Sequence, residues 1–231
     1  VVAYRTAWLK YHYPIEFMAS LINSFLDNTS KIREYVATCT SMGINVLPPD
    51  INKSFERFSV EGDSIRFGLK AIKNVGINAV EEIVRRRENG SYEDFIDFVD
   101  KIDLSTISKR MIESIVKSGC FDSLGTNRSS IIAGYEKIID GVQKSKRDNI
   151  EGQVSLFDTG EHIKDVSINL PEVKEYPKST LLTMEKEMTG IYISGHPLME
   201  YRDVLEKIGT NTSALKEAGQ LTGIGSIKDG D

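Results

Sequence analysis

Phe67-Gly68-Leu69-Lys70-Ala71-Ile72-Lys73-Asn74-Val75-Gly76-Ile77-Asn78-Ala79-Val80-Glu81-Glu82-Ile83-Val84 is the stretch on which the fold turns. From Ala71 to Ile83, Ile72 and Val75, then Ala79, Val80, Ile83 and Val84, recur at helical spacing on either side of Gly76, and Asn89-Gly90 supplies a stop. The pattern predicts two helical turns joined through a glycine hairpin. A glycine turn that opens a helix leaves the N–H groups of Ile77, Asn78 and Ala79 without intrahelical acceptors, and such a nest binds phosphate without reading bases. Residues 65–90 carry Arg66, Lys70, Lys73, Arg85, Arg86 and Arg87 against Glu81, Glu82 and Glu88, a local excess of +3 in a chain of net charge -5. Local positive charge is what backbone binding requires. On spacing alone, an ordinary helix–turn–helix corner reads equally well.

Toward the N-terminus, Tyr4, Ala7, Trp8 and Tyr11 follow helical spacing, Pro14 interrupts, and Ile15, Met18, Ala19 and Ile22 resume it. The aromatics read most simply as core. A third helix begins near Asn28-Thr29-Ser30, a polar cap, and stops at Gly43. Ile44, Val46 and Leu47 then read as a short strand, followed by the extended Pro48-Pro49-Asp50-Ile51-Asn52 and a hairpin of Phe58-Ser59-Val60 and Ile65-Arg66-Phe67 around Gly62-Asp63.

Toward the C-terminus, helices are predicted over Tyr92–Val99, Ser108–Val116 and Asn127–Ile139. From Gly141 to Pro177 periodicity lapses, prolines and charges rise, and Val154, Leu156 and Phe157 stand alone, which reads as a linker carrying a short recognition segment. In Gln153-Val154-Ser155-Leu156-Phe157 a polar amide leads two large apolar side chains that the local stretch cannot bury. Such a pair either seeks a partner's pocket or pins the linker to the body of the chain. A helix around Leu181–Met188, a strand at Ile191-Tyr192-Ile193, a turn at Gly195-His196-Pro197, a helix over Leu198–Ile208 and a strand from Gln220 to Ile227 complete the reading.

The 231 residues, 40% hydrophobic, suit one good core or two modest ones. No apolar run approaches the ~20 residues of a membrane span and no signal peptide is evident, so the expectation is a cytoplasmic protein with no membrane partner. The start at Val1-Val2 and the stop at Asp229-Gly230-Asp231 read as cut ends. An acidic total argues against a protein that coats nucleic acid with its whole surface, so any such contact must be local. Cys39 and Cys120 are far apart and lack companions at metal spacing, and they are expected to be buried free thiols.

No catalytic set is evident. Asp94, Asp97, Asp100 and Asp103 recur every three residues, a pattern that more often marks a solvated face. His12, His162 and His196 stand without companions, and Gly-rich nucleotide loops are absent. No catalytic residue, metal ligand or cofactor is assigned.

Taken in order, Tyr4-Arg5-Thr6-Ala7-Trp8-Leu9-Lys10 with His12-Tyr13-Pro14, Leu47-Pro48-Pro49-Asp50-Ile51-Asn52, and Phe67 through Gly76 resemble the bacterial DNA polymerase III alpha subunits. Lys109-Arg110, Ser118-Gly119-Cys120-Phe121-Asp122-Ser123-Leu124-Gly125 and Gly190-Ile191-Tyr192-Ile193-Ser194-Gly195-His196-Pro197-Leu198 extend the resemblance over nearly the whole chain. It implies a mainly α segment with small β elements. Residues 1–45 would end the fingers region, 46–150 would form a helix-hairpin-helix domain holding duplex DNA, 151–180 a linker, and 181–231 a connector and the first strand of a truncated OB-fold.

The resemblance further implies that DNA backbone contacts come from Lys70, Lys73, Asn74, Val75, Gly76, Ile77, Asn78, Ala79, Arg85, Arg86 and Arg87. Gln153, Leu156 and Phe157 match the motif that docks in the sliding clamp, the beta subunit, which turns the reading of that segment toward a partner's pocket. Other replisome subunits would be met through the parent enzyme, a DNA-directed DNA polymerase. The family's palm aspartates, which hold Mg²⁺, match nothing here. Family hairpins often have glycine on both sides of the central residue, whereas here Asn74 precedes Val75, and Asn tolerates the left-handed geometry. Two rivals remain: a stand-alone helix-hairpin-helix repair protein, and a clamp-binding adaptor without DNA binding.

Overall fold

The computed structural model describes residues 1–150, 169–195 and 197. Gln153, Leu156 and Phe157, the helix expected over 198–208 and the strand expected over 220–227 lie outside the described residues. The described residues up to Ser194 form one compact unit, mainly helical with a small sheet, in agreement with the predicted class.

Pro14 separates α1 (Val2–His12) from α2 (Pro14–Asn23) by sitting in the first turn of α2, where its missing N–H costs nothing. Helix α2 buries Met18, Ala19 and Ile22. Helix α1 buries nothing: Tyr4 is 74% and Tyr11 81% exposed, and Trp8 meets the His12 ring at a tilt instead. The expectation that these aromatics are core therefore fails, because helical spacing marks a shared face without saying what covers it. Helix α3 (Thr29–Ser41) starts where Asn28 Oδ1 accepts the Lys31 N–H, and its chain reverses at Gly43, whose φ is +76.

Strand β1 (Asn45–Leu47) runs parallel to β3 (Ser64–Arg66), and β2 (Ser59–Glu61) pairs antiparallel with β3, giving the order β1-β3-β2. Buried Arg66 is satisfied by both carboxylate oxygens of Glu61 at 2.7 and 2.8 Å and by the Pro48 carbonyl at 2.8 Å. After β3 the chain passes so close to residues 56–58 that a Cβ on Gly68 would lie 2.5 Å from the Arg57 carbonyl carbon. The small sheet thus delivers the chain into the hairpin.

Only a 3₁₀ turn, Leu69–Ala71, precedes the hairpin, where the sequence predicts a helical arm. Helix α4 (Ile77–Arg87) follows it. Helix α5 (Phe95–Lys101) is capped by Asp94, and α6 (Lys109–Lys117) by Ser108. Tyr92, Phe95, Phe98 and Phe121 form an edge-to-face cluster between them, with the Tyr92 hydroxyl donating to the Ile83 carbonyl. The regularly spaced aspartates are each engaged by the fold, since Asp94 caps α5, Asp97 meets Lys101, Asp100 meets Lys146, and Asp103 accepts the Ser105 N–H.

Helix α7 runs from Arg128 to Ile150, past the Gly141 at which the sequence predicts its end. A glycine inside a helix costs about 1 kcal/mol. Burial of Val142 and the Lys109–Asp140 and Lys146–Asp100 ion pairs offset it. Residues 169–177 then lie along the start of α7, where a Cβ on Gly134 would meet Pro171 Cδ at 2.7 Å. Helix α8 (Lys178–Thr189) packs on α6. Ile191-Tyr192-Ile193, predicted as a strand, forms none. Thr189 Oγ1 instead donates to the Ile191 carbonyl, and among the described residues the three strands pair only with one another.

Candidate nucleic-acid interface

Ile72, Val75, Ala79, Val80 and Ile83 are buried, and their burial fixes the hairpin to the core. What remains outside is Lys73, Asn74, Gly76 and Asn78, with Lys70 and Ile77 half-buried. Asn74 takes the left-handed conformation at φ 63, and its side-chain amide donates to Ser114 Oγ on α6 at 2.9 Å. The Ser114 hydroxyl in turn reaches the Arg110 carbonyl at 3.0 Å. Asn is among the few non-glycine residues that tolerate this region, so the turn survives without a glycine before Val75.

Gly76 is the N-cap of α4, and no side chain caps this end. The first intrahelical bond is the Val80 N–H to the Gly76 carbonyl at 3.2 Å, so Ile77, Asn78 and Ala79 have no intrahelical acceptor. Gly76 itself is at φ -82 and ψ 156, open to any residue, and an added Cβ would meet none of the described residues within 4 Å. Among the described residues nothing requires glycine there. What the missing side chain leaves is open approach to the positive end of α4.

The arginine run sits at the opposite end of α4, roughly 12 Å from Asn78 at 1.5 Å per residue. Arg85 and Arg86 both bond Glu82, the latter at 2.6 Å. Glu82 is buried, which pushes its carboxyl up, but the hydrogen bonds from Arg86, Arg85 and the Asp103 N–H win and hold it below the ordinary range. Arg87 donates to the carbonyls of Ile51 at 3.1 Å and Ser54 at 2.7 Å and lies over the Phe55 ring. Lys70 and Lys73 precede the open start of α4 in the chain, Lys70 half-buried and Lys73 exposed, whereas Arg85, Arg86 and Arg87 lie at its far end. Arg66, counted in the local charge excess, is internal.

One exposed cation was missed by sequence reasoning. Arg110 stands one turn before Ser114 on α6, on the face that reaches Asn74. Its signal was present in the spacing of Arg110 and Ser114, but only the Asn74 contact reveals which face matters.

Residues 43–131 match the family described as the helix-hairpin-helix motif. The chain is 41% identical to the DNA polymerase III subunit alpha of Saccharopolyspora erythraea, over 97% of this chain and 20% of that protein. With the subunit from Borreliella burgdorferi the identity is 40%, over 97% and 20%. Nearly the whole chain is thus similar to one part of DNA polymerase III alpha subunits. With the subunit alpha from Mycobacterium tuberculosis the identity is 38%, over 100% of this chain and 19% of that protein. The chain thus spans about a fifth of the length of the alpha subunits it matches. No described helix is long and apolar enough to cross a membrane, and no described group of three or more His, Cys, Asp or Glu residues is arranged to hold a metal ion.

Proposed function

We propose that this chain is the part of a replicative polymerase that grips the backbone of duplex DNA without regard to sequence and tethers the enzyme to its sliding clamp. The grip lies at the hairpin: the amides of Ile77, Asn78 and Ala79 meet phosphate oxygens, with Lys70, Lys73 and Arg110 around them. Asn74, Val75 and Gly76 hold and expose that end. Arg85 contributes secondarily, while Arg86 and Arg87 serve the fold. Residues 46–150 form the gripping body, 151–180 the tether with Gln153, Leu156 and Phe157, and 1–45 the adjoining end of the fingers. The parent carries out DNA-directed DNA synthesis in the cytoplasm with Mg²⁺ held elsewhere, in company with other replisome subunits.

The observation that carries the reading is Gly76, a glycine that no contact among the described residues demands, at an uncapped helix end beside exposed Lys73. Gly76→Ala should therefore fold normally and bind duplex DNA on the order of tenfold more weakly, as fluorescence anisotropy with two unrelated sequences would read. Unchanged affinity for both sequences would end the phosphate reading of this site. A clamp adaptor would keep its clamp affinity throughout, and titration of purified clamp against a Leu156→Ala, Phe157→Ala chain tests the tether separately. Loss of saturable binding is expected, since each enclosed anchor is worth ~2 kcal/mol; equal binding by the variant would remove the tether from the account.

A further inference from the structure

Helix α8 lies outside the residues that match the helix-hairpin-helix motif, and it is more than a hundred residues from the hairpin in sequence. It nevertheless touches the hairpin backbone. The Lys73 N–H, one residue before the left-handed Asn74, donates to the Met188 carbonyl at 2.9 Å. That carbonyl is among the last of α8, a group with no acceptor role inside its own helix. The hairpin tip is thus held from two sides, Lys73 by α8 and Asn74 by α6.

The position of α8 is in turn fixed by one buried carboxylate. Glu185 accepts from Arg128 Nη2 at 2.9 Å, from the Ser194 hydroxyl at 2.8 Å and from the Ser194 N–H at 3.1 Å. Arg128 also holds Asp122 and the carbonyls of Lys117 and Leu181, which ties α8 to the turn after α6. At the end of α8 the Gly190 carbonyl accepts from Arg33 at 3.1 and 3.3 Å, and a Cβ on Gly190 would overlap Thr29 Cγ2. Both ends of α8 are therefore seated on separate elements, and the hairpin leans on it between them.

We infer that α8 is a positioning element of the phosphate-binding hairpin, with Glu185 as the positioning residue that seats it. This rests on the reading that the hairpin binds phosphate. The strength of the grip then depends on residues that lie outside the motif and make no contact with DNA. The arrangement suits a phosphate site, because backbone amides act only where they are aimed, and a glycine-containing turn has little stiffness of its own.

The test compares the full chain with Glu185→Gln and with Arg33→Ala, the second an exposed substitution that loosens the end of α8 without leaving a buried charge alone. Two quantities are read: hydrogen exchange at the Lys73 amide by NMR, and affinity for a duplex across a salt series. In both variants the Lys73 amide should exchange at least tenfold faster, while the core amide of Ile115 keeps its protection. Duplex affinity should fall several-fold with an unchanged salt slope, since no phosphate contact has been removed. Faster Lys73 exchange with undiminished duplex affinity would overturn the inference, as would a Lys73 amide that stays protected in both variants. Failure of the parent chain to bind duplex would instead sink the phosphate reading, and exchange at Lys73 would still decide whether α8 holds the hairpin.

Discussion

Replacing Gly119 by alanine should be among the most damaging single changes in this chain. Gly119 ends the turn after α6 at φ +88, where an L side chain costs ~1–2 kcal/mol. An added Cβ would also overlap Arg128 Nη2 and lie 3.1 Å from Asp122 Oδ2. Arg128 cannot yield cheaply, because its side chain is 4% exposed and its guanidinium serves Asp122, Glu185 and two carbonyls. Displacing one member of a buried ion pair costs about 3–5 kcal/mol. The two effects together come to roughly 4 kcal/mol even if Arg128 moves only part of the way. With an m-value of about 2–3 kcal/mol per M, the urea midpoint should drop by roughly 1.5 M. Gly125→Ala is the control: its φ is +77, but none of the described residues lies within 4 Å of an added Cβ, so only the backbone cost of ~1–2 kcal/mol applies. Equal midpoints for the two variants in urea unfolding followed by circular dichroism would refute the role given to Arg128.

Ser114→Ala removes the partner that holds Asn74 in its left-handed turn and should cost ~1 kcal/mol in stability, with a further drop in duplex affinity read by anisotropy. Acid should destabilise the fold through its depressed carboxylates: Arg66 holds Glu61 down, and hydrogen bonds from Arg86 and Arg85 outweigh burial at Glu82. A lowered folded-state pKa gives stability that is full above the ordinary glutamate range, about 4.3, and is lost as pH falls through the folded value. Thermal midpoints should therefore fall below about pH 4.5, and Glu82→Gln should flatten that acid limb while lowering the neutral plateau. Burial pushes the thiol of Cys39 up to about 11 and that of Cys120 to about 12, so neither should react with a thiol reagent at about pH 8 until urea unfolds the chain.

Local signals made the helices, the β hairpin and the glycine turn legible. Asn28, Gly43, Ser108 and the apolar stripe of Ile72, Val75, Ala79, Val80 and Ile83 act within a few residues, where periodicity and capping carry the information. The continuation of α7 through Gly141 was hidden, because the contacts that offset that glycine come from Asp100 and Lys109, dozens of residues away. The same reason hid α8 behind the hairpin: the bond from Lys73 to Met188 leaves no trace in either local pattern. At the candidate site, residue types were legible and their commitments were not. Arg86 and Arg87 read as free cations until the structure gave them to Glu82 and to the Ile51 and Ser54 carbonyls. Helix α1 shows the converse, since Tyr4, Trp8 and Tyr11 have the spacing of a core face and lie exposed.

The salt dependence of duplex binding by the full chain tests the grip most directly, measured beside a Lys70→Ala, Lys73→Ala variant and an Arg86→Ala, Arg87→Ala variant. If Lys70 and Lys73 each neutralise a phosphate, the slope of log affinity against log salt should flatten by about 1.8 in the first variant. In the second it should hardly change. Equal slopes for the parent chain and the lysine variant, or a flattening confined to the arginine variant, would contradict a grip centred on the open end of α4.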